Sequence, residues 1–321
     1  MSGDGARPED GTRLTGPPDA ATSSVAIVVV NYGASAMVEG NLLRTVGDGF
    51  AGSVVVVDNF SSDAERQAVT EVCSRNTWLL VPSEVNSGYG GGNNLGVRAA
   101  IAAGATEVLL LNPDAHIGTD DLARLQQRVR QQPMTLLAPL VVRPDGRVYS
   151  ASTDLHLRTG EMLATRRRPG GVRDSDVHVW VSGACMMLST RLWSHVGGFD
   201  EAYFLYWEDV DLCRRVVLAG GDVAVDESCT AVHDEGGTHG FEGPSRAKSP
   251  IYYYYNVRNR MLYARLHLPA RDRRRWALRA PLVAYRILLQ GGRRQLVHPG
   301  RTVWPALRGV VHGWALLRSR G

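Results

Sequence analysis

The first residues with chemical use are acids at the ends of apolar runs. Leu109–Asp114 reads LLLNPD: a run built like a buried strand breaks at a proline and leaves Asn112 and Asp114 at a sheet edge. A hard divalent cation such as Mg2+ or Mn2+ takes oxygen ligands and often bridges a diphosphate, so one carboxylate there plus substrate oxygens would suffice. Alone, the same string is also an ordinary Asx or proline turn. Val54–Asp63, VVVVDNFSSD, ends a second run on Asp58 and Asn59 and opens a helix at Ser61 to Asp63. An acid there can accept the imide N–H of uracil or thymine, while helix-start amides favour anionic groups; plain capping is the competing account. Asn86–Gly96, NSGYGGGNNLG, has Gly88 and Gly90 but Asn93 where a dinucleotide fingerprint requires its third glycine. That fingerprint therefore fails, although such a loop lets backbone approach a ligand closely.

Gly197–Arg215, GGFDEAYFLYWEDVDLCRR, is the most informative string. Glu208, Asp209 and Asp211 cluster at a helix start behind Tyr203, Phe204, Tyr206 and Trp207. Acids at a helix N-terminus often only complement its dipole. An aromatic wall that stacks on a sugar and excludes water makes one of them a candidate general base. His233, in AVHDEGGT, ends a further expected strand and becomes a metal ligand only if the fold carries it to Asp114.

The elements that must position these residues follow from pattern. Val25–Val30, Ser53–Asp58, Trp78–Pro82 and Glu107–Leu111 read as strands, with helices over 35–47, 62–75 and 91–103 between them. This βαβ alternation predicts an α/β fold with a mostly parallel central sheet, whose ligands bind beyond the carboxyl ends of the strands. Those ends carry Asn31 and Tyr32, Asp58 and Asn59, and Asn112 to Asp114. Residues 141–178 lose periodicity and read as a mobile loop or irregular hairpin. A strand is expected from Val179 to Leu188, then helices at Thr190–Val196 and Trp207–Ala219, the second stopped by Gly220 and Gly221.

Composition sets further bounds. The first 24 residues are rich in Gly, Pro, Ser, Thr and charge and are expected to form a disordered tail. They lack a secretory apolar core, and no later stretch offers the ~18 to 20 apolar residues of a membrane span, which predicts a cytoplasmic protein. Cys73, Cys185, Cys213 and Cys229 are scattered without a CxxC pair, which points to buried thiols rather than disulfides or structural zinc. From Phe241 onward 17 Lys or Arg face 2 Asp or Glu, so this end carries +15 and the first 240 residues −11. Trp304, Leu307, Val311 and Trp314 recur there at helical spacing with arginines between. The expected organisation is a catalytic domain over 25–247 and basic helices over 248–321, with an anionic membrane surface or a nucleic acid as the partner that charge implies. A nucleic-acid-binding protein would leave the acid and glycine motifs without a role, so no nucleic acid is expected.

In this order, VVNY, VVDNFSSD, NSGYGGGNNLG, LLLNPDA, SGACMM and GGFDEAYFLYWEDVDLCRR resemble family 2 glycosyltransferases of the GT-A fold, in particular their bacterial rhamnosyltransferase-like branch, over about residues 25–268. The resemblance implies an inverting, metal-dependent transfer of a sugar from a nucleotide diphosphate donor to a glycan or lipid-linked acceptor hydroxyl in cell-envelope synthesis. dTDP-rhamnose is the expected donor; a UDP-sugar for a hexosyl or galactofuranosyl transfer is the alternative. It implies Asp209 as base with Glu208 second, Asp114 on the metal with His233 completing the site, and Asp58 on the donor base. Asn31, Tyr32, Asn59, Asn86, Gly88, Asn93 and Asn112 are the expected donor-site residues, Asn112 being a departure from a pair of acids. Tyr252–Arg260, YYYYNVRNR, is similar to the aromatic, Arg-Asn segment that begins the C-terminal helices of this branch.

Overall fold

A computed structural model describes residues 24–47, 50–234 and 248–318, so the expected tail lies outside the described residues except for Ser24. The first half runs β1 (Val25–Asn31), α1 (Ser35–Val46), β2 (Ser53–Asp58), α2 (Asp63–Asn76), β3 (Leu79–Pro82), α3 (Gly88–Ala102) and β4 (Glu107–Leu111). There follow β5 (Ala115–Ile117), α4 (Thr119–Gln131), β6 (Thr135–Val142), β7 (Val148–Ser150), β8 (Thr153–His156), β9 (Met162–Ala164), β10 (Val177–Trp180) and β11 (Cys185–Ser189). The chain continues with α5 (Thr190–Val196), α6 (Glu208–Leu218), β12 (Asp222–His233), α7 (Pro250–His267), α8 (Ala270–Gln290) and α9 (Val303–Arg318).

The main sheet has the order β3-β2-β1-β4-β11-β6-β12-β5, with β7 on β6. Its β3-β2-β1-β4 half is parallel, and β11 then runs antiparallel to β4. VAIVVVN and SVVVVD form strands because β-branched runs suit a sheet covered on both faces. Ile27, Val29, Val54 and Val56 pack into one apolar cluster and Ala26, Val28 and Val55 into the other, the alternation that strand geometry imposes. Ser62 caps α2 by accepting from Glu65 N at 3.2 Å. All four cysteines are free and buried, and burial pushes the Cys73 thiol up to about 11.

Of the two expectations for residues 141–178, these residues meet the irregular hairpin rather than the mobile loop. Beyond the end of β6 they form β7 and most of a three-stranded antiparallel sheet, β10-β8-β9. Asp154, fully buried on β8, accepts from Arg168 Nε at 2.6 Å, which ties the chain after β9 to the small sheet. The expected strand over 179–188 is two strands broken at 181–184, and that break belongs to the site.

The C-terminal helices share a third apolar cluster with the acidic loop: Tyr203, Trp207 and Val210 pack with Tyr253, Val257, Tyr263 and Trp276. Pro281 lies inside α8, where it cannot donate to the carbonyl of Ala277; Trp314 Nε1 of α9 does so at 3.0 Å. The stripe expected on α9 is split as a result. Trp304, Leu307 and Val311 face outward, while Trp314 is half-buried and α9 docks on α7 through Ala306, Gly309, Val310 and Gly313. Among the described residues no helix is long and apolar enough to cross a membrane.

Candidate active site

Two groups of side chains meet at the carboxyl end of β4. The antiparallel pairing sets Cys185 opposite Leu111, which puts the 182–184 break beside Asn112. Asn112 N donates to Ala184 O at 2.9 Å, and the adjacent Gly183 N donates to Asp209 Oδ2 at 3.1 Å. Asp209 and the Asn112 to Asp114 turn are thus anchored to neighbouring peptides of one backbone edge. Tyr89, from the start of α3, completes the frame: its hydroxyl donates to Gly183 O at 2.7 Å and its N–H to Phe204 O at 2.8 Å.

His233 reaches Asp114. The end of β12 pairs His233 with Ala115, and His233 Nε2 lies 2.9 Å from Asp114 Oδ1 with both residues buried. Asn112 Nδ2 lies 3.4 Å from the same nitrogen, so turning its amide over would present an oxygen there. His233 Nδ1 is buried without a hydrogen-bond partner among the described residues. A carboxylate, an imidazole and an amide are donors a hard divalent cation accepts. Among the described residues no group of three His, Cys, Asp or Glu could hold one. Residues 235–238 of the AVHDEGGT string lie outside the described residues.

The three acids opening α6 differ in state because their surroundings differ. Burial would raise Asp211, but His267 at 2.7 Å and Arg215 at 2.7 Å hold its carboxyl below the ordinary carboxylate range; it is a structural anion. Burial and the Asp209 charge hold Glu208 well above that range, with Oε2 buried and without a hydrogen-bond partner among the described residues. Burial pushes half-buried Asp209 up to about 6, against the pull of the Gly183 and Val210 amides. Of the three, Asp209 alone is both poised near neutrality and partly open to solvent.

The approach to α6 is strained. Phe204, Tyr206 and Trp207 have φ of 61°, 66° and 76°, the left-handed region that costs a bulky residue about 1 to 3 kcal/mol. Phe204 stacks on Tyr255 and Tyr206 meets Tyr252 edge-on, so the aromatic wall extends onto α7.

At the end of β2, Asp58 is 1% exposed; Oδ2 accepts from Arg66 Nε at 2.6 Å, while Oδ1 is buried without a partner among the described residues. Arg66 also donates to Ser83 O and lies over the Phe60 ring. Of the other expected donor-site residues, Tyr32 is exposed, whereas Asn31 is spent on Glu65 and on Ala34 N. Asn59 donates to Asn86 Oδ1 and Gly88 O and accepts from Ser87 N, and Asn93 donates to Tyr89 O. These amides shape the loop. The glycines likewise face protein rather than open space: α3 begins at Gly88, whose φ is +75° and where a Cβ would stand 2.1 Å from Phe204 O, and Gly92 and Gly96 abut Val30 and Val28. Asn94, in the glycine-dense string though not among the expected site residues, donates to Phe199 O and Glu201 and accepts from Phe199 N. Asn259, in the Arg-Asn segment of α7, is likewise given no individual role by its string, because its partners lie more than 50 positions away.

A parallel half-sheet with acids at its carboxyl ends, and further acids at a following helix, is the arrangement expected of a GT-A fold. Residues 21–241 match the family model described as Glycosyltransferase like family 2, and the chain belongs to that family. The hexosyltransferase Agl10 of low-salt glycan biosynthesis in Haloferax volcanii is 26% identical over 243 residues, covering 74% of each chain. The N-acetylglucosaminyl-diphospho-decaprenol L-rhamnosyltransferase of Mycobacterium tuberculosis is 32% identical over 191 residues, 52% of this chain and 62% of its own. The mannosyltransferase PcManGT of Pyrobaculum calidifontis, solved with GDP-Man and Mn2+, superposes with a TM-score of 0.51 at 15% identity over 91% of this chain and 86% of that one.

Proposed function

We propose that this glycosyltransferase moves L-rhamnose from dTDP-rhamnose onto the hydroxyl of a glycan or lipid-linked acceptor, inverting the anomeric centre. The observation that carries the proposal is the shared anchorage of Asp209 and the Asn112 to Asp114 turn on Gly183 and Ala184. Asp209 takes the proton of the attacking hydroxyl. Its two oxygens, each held by a backbone N–H, stay fixed while the proton moves. Oδ1 of Asp58, without a partner among the described residues, accepts the imide N–H of the donor base, while Arg66 holds the other oxygen. Asp114 and His233 would hold a Mg2+ or Mn2+ ion, which would offset negative charge gathering on the departing diphosphate. Phe204, Tyr206, Tyr252 and Tyr255 offer apolar faces to the acceptor.

Support for rhamnose comes from the mycobacterial relative and from the rhamnosyltransferase WbbL of Escherichia coli, 25% identical over 225 residues. The hexosyltransferase relative favours the second reading, a hexosyl or galactofuranosyl transfer from a UDP-sugar. A thermal-shift panel of dTDP-rhamnose and UDP-sugars with Mn2+, followed by turnover with the stabilising donor, separates the two. Stabilisation by none of them would count against both.

We further propose that α8 and α9 rest on an anionic membrane surface, from a cytoplasmic position. Leu278 is 84% and Trp304 62% exposed, and Arg273, Arg274 and Arg318 line a groove between the two helices together with Leu278, Pro281 and Trp314. Apolar and arginine side chains so mixed suit the headgroup boundary of a bilayer.

A further inference from the structure

Five consecutive carbonyls of the strained loop before α6 are taken by donors from other elements. Phe204 O accepts from Tyr89 N. The other four belong to one pair of residues on α7. Asn259 Nδ2 donates to Tyr203 O at 2.7 Å, Leu205 O at 2.9 Å and Tyr206 O at 2.8 Å. Arg258 Nη1 donates to Ala202 O at 2.5 Å and to Asn259 Oδ1 at 2.7 Å, which fixes the amide's orientation.

An amide has two hydrogens, so three acceptors around one nitrogen require at least one shared bond. Such convergence holds only where the loop is curled, and the loop is curled because Phe204, Tyr206 and Trp207 are left-handed. Asn259 is fully buried in the apolar cluster joining α7 to Tyr203, Trp207 and Val210. Water cannot replace it there, and loss of the amide would strand the carbonyls of Leu205 and Tyr206, Tyr203 O keeping its bond from Leu205 N at 2.7 Å. The last of these belongs to Tyr206, three residues before Asp209.

We propose that Asn259, steadied by Arg258, is the positioning residue that sets where Asp209 stands, acting through residues 202–207. The proposal rests on Asp209 as the base. The basic C-terminal region is then part of the catalytic apparatus, because it holds the acidic helix start against its own backbone strain.

The test uses the full-length chain with Asn259→Ala and Asn259→Asp, the second keeping the shape but lacking the amide donors. Hydrogen exchange over 202–210 should quicken at least about tenfold in both variants, with the amides of β1 and β4 unchanged. kcat should fall about 30- to 100-fold with donor KM within about threefold, since misplacement by an ångström costs that much when binding is intact. The acid limb of the kcat profile should move to lower pH as water reaches Asp209. If Asn259→Ala does not fold, Asn259→Asp decides. Parental exchange over 202–210, or a loss of turnover that only tracks the unfolded fraction, overturns the proposal. An Asp209→Asn control that retains turnover would overturn the base instead, leaving the exchange result to judge the clamp.

Discussion

Replacing Asp209 by Asn should abolish transfer and stabilise the protein, an opposition that follows from one carboxyl group. Burial raises this group to about 6 from an ordinary 3.8, so the fold favours its protonated form by about 3 kcal/mol at most. A carboxyl raised in the folded state contributes stability that is complete below about pH 3.8 and lost as pH rises through about 6. Asparagine resembles the protonated acid at every pH. It can accept from the Gly183 or the Val210 amide through its one oxygen, though not from both, and Asp209 is partly solvated, so about 1 to 2 kcal/mol of the gain should survive. For a chain of this size that raises Tm by about 1 to 3 °C at pH 8 and by nothing measurable at pH 4. Removing a general base lowers kcat by about 100- to 10,000-fold, and the parent's kcat should fall tenfold per pH below about 6. Glu208→Gln, which mimics an acid already protonated, should keep kcat within about fivefold. Calorimetric melting at the two pH values and a pH series of single-turnover rates measure all of this. Turnover of Asp209→Asn within tenfold of the parent, or a lower Tm at pH 8, refutes the reasoning.

Asp114→Ala should weaken donor-nucleotide binding in Mn2+ but leave metal-free binding unchanged, and Mn2+ alone should give no calorimetric signal with either protein. Gly88→Ala places a Cβ 2.1 Å from Phe204 O at a φ of +75° and should cost about 2 to 4 kcal/mol in urea unfolding. Arg273→Glu, Arg274→Glu and Arg318→Glu together should weaken sedimentation with anionic vesicles at low salt by about tenfold or more. Absence of parental binding at low salt would retire the membrane contact.

The parallel half of the fold was legible because its strands are apolar, largely β-branched runs and α2 begins at a recognisable cap, Ser62. β1 and β4 differ from expectation by at most one residue, and α3 by three at its start, where glycines that read as loop form the first helical turn. β7 to β9 have three or four residues each, too few for an alternation to show against Pro, Gly and arginine. β6 hides for another reason. Pro139 interrupts it, as a ladder-breaking residue should, and the structure tolerates it because the pairing with β12 slips between Asp226 and Thr230 beside it. The meeting of Asp114 and His233, 119 positions apart, depends on β5 and β12 pairing at the sheet edge. No local pattern encodes that; resemblance to a family did.

The basic charge of the last 80 residues likewise has two uses that composition cannot separate. Arg258 holds the acidic loop, Arg260 stacks on Trp276 at 3.9 Å while donating to Thr159 O, and Arg275 and Arg286 meet Asp272 and Glu161. Arg260 is buried deeply enough to be lowered to about 9, a cost a surface arginine would not bear. Arg258, Arg260 and Arg286 fasten α7 and α8 to the catalytic loop and the small sheet, while Arg275 pairs within α8. Arg273, Arg274 and Arg318 instead line an open groove beside exposed leucines. A charge count over the whole segment therefore overstates what is offered to a partner, and the vesicle experiment must change the groove residues, because replacing Arg258 or Arg260 would disturb the active site before any membrane contact.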